Sequence, residues 1–188
     1  MKKMISFLLA VIMIFTLAAC RPKVPPVDEN NGDNNAVEDN TIVEPNPEDE
    51  TVTVKLYFAN QEYIITGDEN LDRIIAVERE IKPEKKSIEE VILEELKNEP
   101  EDEQLTTIVE KINVLSVETV GNTVYVNLSG ENLYGGSLEE SLILQQIVLS
   151  LTELERIEQV QFLVDGGKRE TLMGHILIEE PLKRADIK

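Results

Sequence analysis

From residue 51 onward the apolar positions follow two recognisable periods. TVTVKLYF at 51–58 alternates, with Val52, Val54, Leu56 and Phe58 on one side and Thr53, Lys55 and Tyr57 on the other. A period of two predicts a half-buried strand. LDRIIAVEREIK at 71–82 fits a strand through Ile75, Val77 and Ile81, or a helix through Leu71, Ile74, Ile75 and Glu78. Strand is the reading adopted, because β-branched residues cluster there and Pro83 closes the run.

The period then lengthens. Ser87-Ile88-Glu89-Glu90 has the form of a capping box, in which the serine oxygen accepts from the third helical N–H while the glutamate reaches back to the cap. The predicted helix runs through Val91, Ile92, Leu93 and Leu96 and stops before Pro100. Ser137-Leu138-Glu139-Glu140 repeats the form and predicts a longer helix to about Glu155. Its apolar face is broad: Leu138, Leu142, Leu144, Ile147, Val148, Leu151 and Leu154. It should be the most deeply packed helix.

Between the helices, INVLSVETV-GN-TVYVNLS predicts a hairpin turning at Gly121-Asn122, with Val124, Val126 and Leu128 inward. After the second helix, QVQFLVDGG at 159–167 predicts a strand with Val160, Phe162 and Val164 on one face. Asp165-Gly166 then turns the chain toward a short HILI segment at 175–178, read as a last strand. Unlike helices and mainly hairpin-joined strands predict an α+β class: a mixed β-sheet with two helices packed on one face.

The first fifty residues obey neither period. Lys2 and Lys3 precede an uncharged apolar run from Ile5 to Ala19, which has the organisation of a signal peptide. The run is shorter than the roughly 20 apolar residues a spanning helix needs. It ends in LAAC at 17–20, and Cys20 is the only cysteine of the chain. This arrangement resembles the bacterial lipobox. The resemblance implies a diacylglyceryl group on the Cys20 sulfur and cleavage that leaves Cys20 as the new N-terminus. Residues 20–50 carry five prolines and nine acidic against two basic side chains, with no aromatic residue. Such a composition predicts a disordered spacer, spanning roughly 30 Å as a coil. NGDNN at 31–35 lacks the D-x-D-x-D-G order and closing glutamate of a calcium loop and reads as linker. The expected organisation is signal peptide 1–19, acidic linker 20–50 and one domain at 51–188.

Charge narrows the partners. The whole chain carries −19. A surface this acidic opposes nucleic acid, which needs clustered lysine and arginine. It also holds a domain away from anionic headgroups over a Debye length of about 8–10 Å.

Candidate chemistry is sparse. His175 is the only histidine, and no metal set or cofactor loop is legible. Ser129-Gly130 reads as a turn at a strand's end. Asp165 is a turn-former before it is a functional acid, and His175 beside Ile176 is expected to be partly buried and structural. A carboxylate pair for glycan hydrolysis is countable, but the chain has no Trp to build a sugar platform. No enzyme is expected, and no catalytic, metal or cofactor residue is assigned.

Several segments together resemble the GerMN domain of sporulation and spore germination. They are Leu56-Tyr57-Phe58, Val77-Glu78-Arg79, Leu93 and Leu96 before Pro100, and Leu115-Ser116-Val117. Val124, Val126, the NLS of 127–129, Gly136-Ser137, QIVLSLTEL at 146–154 and VQFLVDG at 160–166 continue the likeness. It covers about residues 52 to 182. Glu99 stands where the family often has glycine, and EDEQLTTIVEKI at 101–112 lacks the expected Ile-Pro pattern.

The resemblance implies a compact module similar to the ring-building motifs of sporulation channels, lipid-anchored or secreted, with no catalytic residues to carry over. The implied role is assembly in the cell envelope, related to sporulation or germination. The alternative is a lipoprotein binding a wall glycan or small ligand with weak hydrolytic activity. Expected partners are the membrane through diacylglyceryl-Cys20 and other envelope or sporulation proteins, with homo-oligomerisation as one option.

Overall fold

The computed structural model describes residues 51–187; the segments expected to be a signal peptide and a linker, with Cys20 and the NGDNN stretch, lie outside the described residues. Strand β1 (Val52–Asn60) keeps the alternation read from sequence, burying Val54, Leu56 and Phe58. It pairs antiparallel with β2 (Ile74–Ile81), placing Val54, Leu56 and Phe58 opposite Arg79, Val77 and Ile75. The ambiguous segment is thus a strand. Its apolar face fades along its length, from buried Ile81 through half-buried Val77 to exposed Ile75.

Between these strands lies a helix the periodicity did not reveal, α1 (Gln61–Thr66). Asn60 caps it: its Oδ1 accepts from the N–H of Glu62 and of Tyr63, and its Nδ2 donates to the Asp72 carbonyl. Gly67, at φ 66°, closes the helix with its N–H on the Tyr63 carbonyl. A six-residue helix is too short to show an amphipathic period, so only its caps announce it.

Helix α2 (Ile88–Glu95) begins as expected. Ser87 Oγ accepts from the Glu90 N–H at 3.2 Å, and the Glu90 carboxylate accepts from the Ser87 N–H at 2.8 Å. Beyond it, the short β3 (Leu105–Thr106) pairs with the end of β1. The hairpin of β4 (Val114–Val120) and β5 (Thr123–Leu128) turns at Gly121, whose φ of 63° suits a residue without a Cβ. Val124, Val126 and Leu128 are fully buried.

Helix α3 (Ser137–Leu151) follows and is buried on most of its circumference, the signature of a core helix. It supplies the crossover that lets β6 (Gln159–Val164) lie parallel to β5. Val160 and Phe162 are buried. Asp165 (φ 50°) and Gly166 (φ 82°) then make a two-residue turn closed by Val164 and Gly167.

The α+β class holds, with three differences from the sequence reading besides α1. The strands divide between two sheets, β2-β1-β3 and β4-β5-β6-β7, whose inner residues share one core with α2 and α3. HILI is not a strand: Leu177 makes a single bridge to Thr171 and is largely exposed, and the last strand is β7 (Leu182–Lys183) beside β6. Finally, α3 ends at Leu151 and does not open with a capping box. Its cap is Gly136, so Ser137 is already helical, Leu138 faces outward, and Glu140 is free for another task.

Candidate functional site

Ser129, Asp165 and His175, the residues weighed for chemistry from the sequence, each take part in bonds within the fold. Ser129 Oγ accepts from the Glu131 N–H, as a turn residue does. Asp165 Oδ1 accepts from the Gly130 N–H at 3.1 Å, and Asn127 Oδ1 accepts from the Gly166 N–H at 2.8 Å. These two bonds tie the end of β5 to the turn after β6. A Cβ at position 130 would meet Asp165 Oδ2 at 2.5 Å, so a larger residue there would have to push the Asp165 carboxylate aside. His175 is exposed rather than partly buried; its N–H donates to Glu140 and its Nε2 lies 3.3 Å from the Gly135 carbonyl. Among the described residues no group of three or more His, Cys, Asp or Glu could hold a metal ion.

Four polar groups inside the domain do structural work that their sequence context did not announce. Glu140 is fully buried and accepts from three backbone N–H groups, those of Leu172, Met173 and His175, at 2.9–3.0 Å. It fastens the loop after β6 onto the start of α3. Gln146, also fully buried, donates to the Tyr57 carbonyl and accepts from the Ile108 N–H. With Ser150 Oγ accepting the Tyr57 N–H, it satisfies the side of β1 turned away from β2. Buried Glu89 joins Arg156 and the Thr119 hydroxyl. The Tyr57 hydroxyl donates to Glu153 at 2.6 Å while Arg184 bonds both and lies over the ring. Burial, and then the bond to the Glu153 carboxylate, raise the Tyr57 phenol above its ordinary 10.0.

The variant segment between α2 and β4 is held by the same kind of device. Thr107 Oγ1 donates to the Leu96 carbonyl and accepts from the Val109 N–H, while Leu105, Val109 and Ile112 are buried. One threonine and three apolar anchors thus add to the β3 pairing and the Gln146 bond in securing this loop.

What remains open is surface. Two shallow hollows of about 470 and 490 Å³ share Asp102 and run along β2. The first is walled by Ile65, Leu71 and Ile75 with Glu62 and Glu103 at its rim. The second lies between residues 77–80 of β2 and Pro100-Glu101-Asp102. No helix among the described residues is long and apolar enough to cross a membrane.

The model of the family Germane, sporulation and spore germination, matches residues 55–170. The chain belongs to this family. The first GerMN domain of the sporulation protein GerM from Bacillus subtilis matches with a TM-score of 0.56 and 19% identity, over 72% of this chain and 99% of that one. The tandem GerMN domains of GerM match with a TM-score of 0.55 and 20% identity, over 71% of this chain and 46% of that structure. A crystal structure of a proposed lipoprotein from Clostridium perfringens is 21% identical, with a TM-score of 0.47, over 73% of this chain and 90% of that one. No curated protein matches the chain. The two GerM structures establish the shared fold, a Germane domain of two sheets about a buried helix. Buried carboxylates and amides within that fold escaped the sequence reading, because Glu140 and Gln146 look like ordinary helix-face residues. The one usable signal was Gly135-Gly136 ahead of Ser137, which moves the helix start and releases Glu140.

Proposed function

We propose that this Germane-family protein is a non-catalytic interaction module, held on the outer face of the cell membrane by a diacylglyceryl group on Cys20 and acting in an envelope assembly of sporulation or germination. The observation that carries the reading is the family match across residues 55–170 on a domain whose polar interior is committed to its own architecture. Glu140, Gln146, Asp165 and the Tyr57 cluster are all engaged by fold-closing bonds. An enzyme site would instead aim such groups at a ligand.

LAAC at 17–20 supports the anchor. Each buried CH₂ contributes about 0.8 kcal/mol, and two acyl chains hold where one binds only marginally. Residues 20–50 serve as the spacer, and the domain's 14 basic against 28 acidic side chains from residue 51 keep it off anionic lipid.

The test is crosslinking and affinity capture of the tagged, anchored protein from cells before and during sporulation. A membrane-associated partner or a defined oligomer, enriched in sporulating cells, is the expected result. A strictly monomeric protein with no crosslinked partner at either stage contradicts the proposal.

A further inference from the structure

Among the described residues, strand β2 is the outer strand of its sheet, and its second edge is unpaired. The Asn60 N–H donates to the Arg73 carbonyl, which sets the phase of the ladder: Ile75, Val77 and Arg79 exchange bonds with β1. Tyr57 confirms the phase, since its N–H and carbonyl turn away from β2 to Ser150 and Gln146. The backbone groups of Ile74, Ala76, Glu78 and Glu80 therefore point outward. No backbone bond outside the β1 ladder engages them among the described residues.

Three features make this edge a receiving surface rather than a protected one. It is eight residues long, without proline, and lies open along the hollows bounded by Pro100-Glu101-Asp102. Its two faces differ: Ile75 and Val77 present partly exposed apolar surface, while Glu78 and Glu80 project from the other side. The charged side chains lining the hollows are mainly acidic, although Arg73 and Lys82 flank the strand at its two ends. Glu78, Glu80, Glu101, Asp102 and Glu103 form no ion pair among the described residues, and the one cation in the groove, Arg79, is taken by Glu95. Lys55 faces Glu78 across the ladder without bonding it.

We propose that the β2 edge binds an extended segment of a partner protein as an added strand, with lysine or arginine alternating with apolar residues. The added strand would satisfy the outward backbone groups, set its cations against Glu78 and Glu80, and lay its apolar side chains beside Ile75 and Val77. A second copy of β2 is disfavoured as occupant, because it would bring glutamates against glutamates. The inference rests on the interaction-module reading but not on the anchor.

The experiment measures binding of dye-labelled acetyl-(Lys-Val)₄-amide to the purified full chain in nonionic detergent. Comparisons are (Glu-Val)₄ and a Lys-Val peptide N-methylated at alternate amides. The Lys-Val peptide should bind at least about tenfold tighter than either, since one lacks the charges and the other the edge hydrogen bonds. Ala76→Pro removes one outward N–H, keeps every charge and should weaken binding by about tenfold. Glu78→Lys with Glu80→Lys should reverse the preference toward (Glu-Val)₄.

Equal binding of the N-methylated and parent peptides overturns the proposal, as does equal binding of the Lys-Val and Glu-Val peptides. Should Ala76→Pro fail to fold, the N-methylated peptide on the unaltered chain decides alone. Failure here, with partners still captured from cells, moves the docking surface elsewhere and leaves the module reading standing.

Discussion

Glu90 and Glu140 occupy the same place in two nearly identical stretches, SIEE and SLEE, and do opposite things. Glu90 sits at a helix start on the surface and closes its own capping box with Ser87. Glu140 is fully buried and closes a distant loop, accepting the N–H groups of Leu172, Met173 and His175. The difference begins one residue earlier. Gly136 starts α3 ahead of Ser137, so Ser137 has no capping bond and Glu140 turns inward. One helix end is stabilised locally, and the other is a tertiary clasp.

The largest effect should come from removing the clasp. Glu140→Ala leaves three backbone donors without an acceptor and should cost about 3–5 kcal/mol in urea unfolding. Hydrogen exchange should accelerate across residues 170–178 before it does elsewhere. Glu140→Gln keeps one carbonyl oxygen but sets an NH₂ against a donor, and should cost about 1–3 kcal/mol.

Next is the amide on the same helix. Gln146→Leu strands the Tyr57 carbonyl and the Ile108 N–H and should cost about 2–3 kcal/mol, measured the same way.

The serines sharpen the comparison further. Ser87→Ala deletes a true cap and should cost about 1 kcal/mol. Ser137→Ala, at a position that caps nothing, should stay within about 0.5 kcal/mol. Equal costs would mean that both helices begin in the same way.

The smallest effect is a pH dependence. Tyr57 is raised above 10.0 in the folded chain, so its contribution is complete below pH 10 and is lost as pH climbs through the folded value. Thermal unfolding should therefore show a drop above pH 10 that is smaller in Tyr57→Phe.

What the sequence made legible was what neighbouring residues decide. The alternation at 52–58, the Gly121 turn and the Ser87 box depend on contacts within a few positions, and each appears as read. Asn60 and Gly67 also bracket α1 locally, but six residues between them leave no period to see. The partition into two sheets is different in kind. It depends on β6 finding β5 rather than β1, a choice made by the α3 crossover. Leu182-Lys183 becomes a strand because β6 offers an edge, while the more apolar HILI is spent on Ile178 burial and a single bridge. The acidic groove along β2 was invisible for the same reason: the glutamates are plain in the sequence, but only the strand order leaves their backbone unpaired.

One substitution addresses directly the proposed display of this acidic domain outside the cell from Cys20. Intact mass and membrane fractionation should be compared for the wild-type chain and Cys20→Ser. The wild type should begin at Cys20, carry the added mass of a diacylglyceryl group and sediment with membranes. The variant should lack that mass and keep its leader. An unchanged mature mass and unchanged fractionation in Cys20→Ser would contradict the claim.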